Sequence, residues 1–322
     1  MNILVLLLAL LIQAFPAHAI IVNSDTFTGN GTDNTPITTA TACTPDVVII
    51  KRNEAANHAY ISTSTMAAST SYQLTNTSST PASLCVKSFI STGFTVGTNG
   101  QCNQNGDDHY YVSLCPNGAN DMEVGTYTGD GTDNRDITMA ASWTPELVII
   151  VNEGTSARVW RGATSHSGDS SSHISTASAD ATNHIQSFGA GTFQVGTAVN
   201  TNTIPFHWIA FKGDAAGIAT GSFAGDTNDN RDITTGFPQE FVMVKHPSTT
   251  DGPSYRFTGM SGDLSFCLSE AAAANQIQAL GATTFQVGTD ACSNSNGNTM
   301  RWFALGDTSG PSSGFYLRRR NQ

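Results

Sequence analysis

Three aspartates, Asp33, Asp133 and Asp229, stand in nearly the same glycine-rich words. These read Gly29-Asn30-Gly31-Thr32-Asp33-Asn34, Gly129-Asp130-Gly131-Thr132-Asp133-Asn134 and Gly225-Asp226-Thr227-Asn228-Asp229-Asn230. Loops bind calcium by converging carboxylates and carbonyl oxygens on one ion, which makes these aspartates the candidate metal ligands. The spacing is not that of an EF-hand, because no bidentate Glu follows at the twelfth position. An Asx-turn, in which Asp bonds its own backbone, accounts for the same residues without an ion. A second cluster, Ser165-His166-Ser167-Gly168-Asp169, lines up nucleophile, base and acid types. Triads are assembled from distant segments rather than from neighbours. The matching Ser261-Gly262-Asp263 lacks the histidine, and no Gly-x-Ser-x-Gly elbow occurs. Glycoside hydrolysis needs two facing carboxylates. Only Glu146 and Glu240 recur, at the start of an apolar run where Asp46 stands in the first copy. No catalytic residue is assigned.

The six cysteines are unevenly placed: Cys43, Cys85, Cys102 and Cys115 early, Cys267 and Cys292 late. None of them has zinc-site spacing, and an even number suits disulfides in an exported chain. Cys267–Cys292 is the only pairing open to the late pair. Closing that loop contributes on the order of 3 kcal/mol. Among the early four, Cys85–Cys102 with Cys43–Cys115 is favoured, since Cys43 precedes an apolar strand and Cys115 ends another.

These residues belong to a larger repetition. The aspartates are spaced 100 and then 96 residues apart, a domain-sized period rather than the roughly 20–50 residues of a solenoid. Each copy continues with an apolar run (Val47-Val48-Ile49-Ile50, Leu147-Val148-Ile149-Ile150, Phe241-Val242-Met243-Val244). A Phe-x-Val-Gly strand follows at Phe94, Phe193 and Phe285, then an Asn-rich stretch, then a closing segment around Tyr111, Trp208 and Trp302. The apolar runs and closing segments carry apolar residues on both alternating faces, as strands covered on both sides do. The Asn-rich stretches beginning at Asn103, Asn200 and Asn294 read as polar hairpin tips. The best helical candidate is 269–280, but the other copies have Ser/Thr-rich text there, which argues against a shared helix.

The expected fold is all-β, with three tandem β-sandwich modules of jelly-roll or Ig-like type following a signal peptide. Boundaries fall at 1–19 for the signal peptide, 20–120, 121–217 and 218–308 for the repeats, and 309–322 for a C-terminal tail. Residues 1–19 have an apolar core and end in Ala17-His18-Ala19, an A-x-A cleavage site. No other segment is apolar enough to span a membrane, so the mature chain is expected to be extracellular. Charged residues make up only 12% of the chain and the net charge is −11, which disfavours nucleic-acid and anionic-lipid partners.

The words Tyr127-Thr128-Gly129-Asp130-Gly131-Thr132-Asp133-Asn134-Arg135-Asp136-Ile137, Pro145-Glu146-Leu147-Val148-Ile149-Ile150, Arg161-Gly162-Ala163 and Phe193-Gln194-Val195-Gly196 resemble a repeated module of phage tail and virion structural proteins. The second repeat is closest, and the first lacks the Arg-Gly-Ala. The resemblance implies a particle-surface structural or binding role without chemistry. The export signal departs from it and suits a cell-encoded surface protein. The leading expectation is a secreted, non-enzymatic structural or adhesive protein. The alternative is a calcium-dependent, lectin-like protein that binds a cell-surface glycan. The tail, with Gly314-Phe315-Tyr316-Leu317 before Arg318-Arg319-Arg320, resembles the first strand of a further repeat. It is the candidate for self-assembly on a neighbour's sheet edge.

Overall fold

The computed structural model describes residues 20–54, 56–116, 121–213, 217–247 and 252–306. The expected signal peptide and C-terminal tail lie outside these residues. The described chain is nearly all β, in antiparallel sheets.

The first repeat supplies β1 (Ile20–Thr28), β2 (Thr35–Thr38), β3 (Val47–Arg52), β4 (Tyr60–Thr63), β5 (Thr70–Gln73), β6 (Ala82–Ser83), β7 (Val86–Ile90), β8 (Gly93–Val96) and β9 (Asp108–Pro116). The second supplies β10 (Met122–Thr128), β11 (Arg135–Thr138), β12 (Pro145–Asn152), β13 (Val159–Gly162), β14 (Ser172–His173), β15 (Ile185–Gly189), β16 (Thr192–Val195) and β17 (Pro205–Lys212). The third supplies β18 (Ile218–Ala224), β19 (Arg231–Thr234), β20 (Phe241–Lys245), β21 (Pro253–Phe257), β22 (Phe266–Cys267), β23 (Ile277–Leu280), β24 (Thr284–Val287) and β25 (Thr299–Leu305). Residues 277–280 are thus a strand, and the apolar spacing that hinted at a helix there is a half-buried edge.

Each repeat pairs a larger sheet with a three-stranded one. The larger sheets run β1-β9-β3-β4-β5-β6, β10-β17-β12-β13-β14 and β18-β25-β20-β21-β22. The smaller ones run β2-β8-β7, β11-β16-β15 and β19-β24-β23. In each repeat the strand after the Asp-Asn turn leaves the larger sheet to open the smaller one.

Side chains alternate across a strand, and here the two faces have different destinations. In β3, Val48 and Ile50 pack with Phe94 and Val96 of the smaller sheet, whereas Val47 and Ile49 point the other way. β12 repeats the pattern, with Val148 and Ile150 on one face and Leu147, Ile149 and Val151 on the other. So does β20, with Val242 and Val244 against Phe241 and Met243. The outward faces of all three larger sheets meet in one shared core. That core contains Val112 and Tyr110, Ile209 and Trp160, Phe303 and Tyr255.

The contacts between repeats form a closed cycle. Thr65 of the first repeat meets His207 of the second at 2.9 Å, and Arg158 of the second donates to the Ser78 carbonyl at 2.7 Å. Trp160 of the second meets Phe303 of the third, and Arg301 reaches back to Asp180 and the Ser165 carbonyl. Phe257 of the third then stacks on Tyr110 of the first and Phe266 meets it edge-on, and the Thr258 N–H donates to Ser24 Oγ at 3.1 Å. Tyr110, His207 and Arg301 each precede the large aromatic of their closing strand. One strand position therefore serves all three junctions. The repeats are not beads on a string; they close on themselves, as a cyclic trimer of separate chains does.

Three disulfides join Cys43 to Cys115, Cys85 to Cys102 and Cys267 to Cys292. The second repeat has none and keeps the same sheets, so the bridges are additions to the fold.

Candidate functional site

In each repeat an exposed, mostly polar run, 30–34, 130–134 and 227–230, lies where the Asp-Asn turn meets the Asn-rich loop. Two glycines shape the turn. A Cβ on Gly29, Gly129 or Gly225 would come within 2.2, 1.9 or 2.0 Å of a carbonyl oxygen in the facing loop. That approach is open only to glycine. Gly31 and Gly131 then take positive φ, +67° and +77°, a region glycine enters without strain. Thr227 holds the same place at φ 57°, and Asn34, Asn134 and Asn230 follow at 57°, 56° and 55°.

The facing loop is gripped by one side chain. Asn103, Asn200 and Asn294 are fully buried. Sequence reasoning placed them at hairpin tips; they are instead the pegs of the loop. Asn200 Nδ2 donates to Asp130 Oδ1 at 2.7 Å and to the Thr132 carbonyl at 2.8 Å, while its Oδ1 accepts the Asp130 N–H at 3.2 Å. Asn103 and Asn294 make the matching bonds to the Thr32 and Asn228 carbonyls and from the Asn30 and Asp226 N–H groups. A buried amide needs all these partners, because an unmet polar group in the interior is costly. The true tips follow at Gly106, Thr203 and Gly297, where φ is again positive. Their N–H groups donate back to the carbonyls of Gly29, Gly129 and Gly225.

Asp33, Asp133 and Asp229 do not meet one another; each serves its own repeat. Asp133 accepts from Asn134 Nδ2 at 3.0 Å and from Gln186 Nε2 at 3.0 Å. Asp229 accepts from Asn230 and Gln278 in the same way. Asp33 accepts from Asn34 and pairs with the Lys87 ammonium at 2.6 Å, and that hydrogen bond holds its carboxyl below the usual range. The carboxylates are thus met by N–H donors and a cation, whereas calcium requires further oxygens. That donor set does not fit the ion. Among the described residues no three His, Cys, Asp or Glu side chains gather as a metal site. Asp130 is held at about 2 by hydrogen bonds from the Thr132 side chain and backbone, which keeps it an acceptor in the turn.

The triad-like cluster is sealed inside the junction of the second and third repeats. Ser165 Oγ lies 2.8 Å from His166 Nδ1, His166 Nε2 lies 2.9 Å from Ser172 Oγ, and Ser172 Oγ donates to Asp180 Oδ1 at 2.5 Å. Ser165 and His166 are only 2% and 6% exposed. Desolvation, with Arg301 and Arg161 nearby, drives His166 down to about 2, so the ring is neutral. Asp169, the acid suggested by sequence, instead accepts the Asn183 N–H at 3.3 Å. Glu146 accepts from Thr220 Oγ1 across the same junction. This network fastens the second and third repeats together.

A family model described as a domain of unknown function (DUF7483) matches residues 20–297. The chain belongs to that family. The DUF7483 match begins at the first residue of β1 and runs through all three repeats into the last Asn-rich loop. Among curated proteins none matches the chain.

Proposed function

We propose that this chain is a secreted, non-enzymatic structural or adhesive protein built from three β-sandwich modules of jelly-roll or Ig-like type. One observation carries the reading: the nucleophile–base cluster that the sequence itself offers, Ser165 with His166, is buried between repeats with a neutral histidine. The exposed carboxylates of the repeated turns are occupied in holding those turns. What remains on the surface is three copies of a welded, hydrogen-bonding loop pair on a rigid scaffold, the usual setting for recognition. Three disulfides belong to an oxidising environment, which supports export after cleavage at Ala19. The tail around Phe315 is proposed to add a strand to a neighbouring molecule, giving self-assembly at a cell or particle surface.

The test is a panel of ester, peptide and glycoside substrates presented to the exported protein. No turnover above background is expected. Turnover that Ser165→Ala abolishes would overturn the reading. N-terminal sequencing of the exported chain is expected to begin at Ile20.

A further inference from the structure

In the second and third repeats an arginine fills a slot that the first repeat leaves open. Arg161 pairs in register with Val148, and Arg256 with Val242. The corresponding partner of Val48 is Ser62. Arg161 and Arg256 are nearly buried, 8% and 6% exposed, and their guanidinium groups are met by backbone carbonyls. Arg161 donates to Gly168 at 2.7 Å and to Ser170 and Ile185, with the Phe188 ring 5.7 Å away. Arg256 donates to Gly262 at 2.8 Å, to Met260 at 3.1 Å and to Leu264 and Ile277.

In the first repeat the short Ser62 side chain turns to the Thr70 carbonyl at 3.1 Å and to Ser71 Oγ at 2.5 Å. A cleft of about 250 Å³ opens there, and its walls include Ala68, Thr70, Val86 and Phe89. These are the register equivalents of the arginine's hosts. Val86 and Ile185 both face the last valine of the adjoining strand, and Phe89 and Phe188 both face its phenylalanine. Thr70 stands two residues before Tyr72, the partner of Ile61, as Ser170 stands two residues before Ser172, the partner of Trp160, and Ala68 stands for Gly168. The carboxylates beside the arginines, Asp169 and Asp263, have also gone, replaced by Ser69. The only charged residue on the cleft wall, Lys87, is bound to Asp33.

We propose that this cleft is a guanidinium site, filled by an arginine side chain from outside the repeat. The chemistry has two sources: an arginine on a partner protein, or the Arg318–Arg320 run of this chain. Backbone carbonyls and an aromatic face suit a flat, weakly hydrated guanidinium better than a compact ammonium. The net charge of −11 draws such cations in from a distance. The inference holds whether or not the protein is exported.

Titration of the full chain with N-acetyl-arginine methylamide, and separately with the lysine compound, followed by amide chemical shifts of Thr70, Val86 and Phe89, tests the proposal. Arginine is expected to bind at least about tenfold more tightly than lysine. The variant Ser62→Arg with Ser69→Asp restores the occupant of the other repeats; it is expected to abolish binding and raise the Tm. Phe89→Ala is expected to weaken binding while leaving the fold intact. Tighter binding by a chain ending at 308 than by the full chain assigns the site to the tail arginines; equal binding assigns it to a partner. Equal response to arginine and lysine, or undiminished binding in both variants, would overturn the proposal.

Discussion

Trp160 of the second repeat meets Phe303 of the third edge-on, ring centroids 5.0 Å apart. Both are buried, and both belong to sheet faces that have no partner within their own repeat. Ile61 and Tyr255 occupy the register of Trp160 in the other repeats and lie in the same core. A repeat cut free would expose this face. For the second repeat that means Leu147, Ile149, Val151, Trp160, Ile209 and Phe211. At about 2 kcal/mol each the loss is on the order of 12 kcal/mol, the whole stability of a typical domain.

Trp160→Ala is therefore expected to destabilise the entire chain by about 3–5 kcal/mol. Denaturant unfolding followed by circular dichroism and by tyrosine fluorescence should still give coincident single transitions. Separate melting of the second repeat would contradict the shared core.

Asn200→Ala removes the peg of one loop pair and leaves the Asp130 N–H and the Thr132 carbonyl without their partner. A loss of about 2–4 kcal/mol is expected, read as a lower urea midpoint with an unchanged slope. Asn200→Asp is expected to fare little better, because it restores the acceptor but not the donor.

A Cβ at Gly125 would lie 2.2 Å from Trp208, whereas Tyr111 of the first repeat pairs with Asp25. Gly125→Ala should cost about 1–3 kcal/mol by overpacking. Combining it with Trp208→Tyr, the pairing of the first repeat, should recover most of that in a thermal melt.

His109 is fully buried; its Nε2 accepts the Gln104 N–H, and burial holds it down to about 4. Below its ordinary value of 6.5 the unfolded chain takes a proton that the folded ring refuses. Stability therefore falls as pH drops from about 6.5 toward 4, by roughly 2 kcal/mol at pH 5 from this residue alone. Tm measured between pH 7 and pH 5 should fall, and less steeply in His109→Gln.

Much of this was legible in the sequence. The repeats, the strands around Ile49 and Tyr111 and the β class follow from period and composition. Closure was written there too, but in a form read otherwise. Apolar residues on both faces of β3 and β9 meant burial on both sides, and the second cover is the other repeats rather than more of the same one. Asn200 looked like a tip because asparagine favours turns, and only packing reveals that it is a buried peg. The missing Arg-Gly-Ala of the first repeat was visible as text, but not as a cleft.

The most direct test of the closed arrangement is the radius of gyration of the mature chain in solution by small-angle X-ray scattering. Three repeats around one core predict about 19 Å, the value for a compact body of this length. A value near about 30 Å, that of three compact domains strung in line, would contradict it.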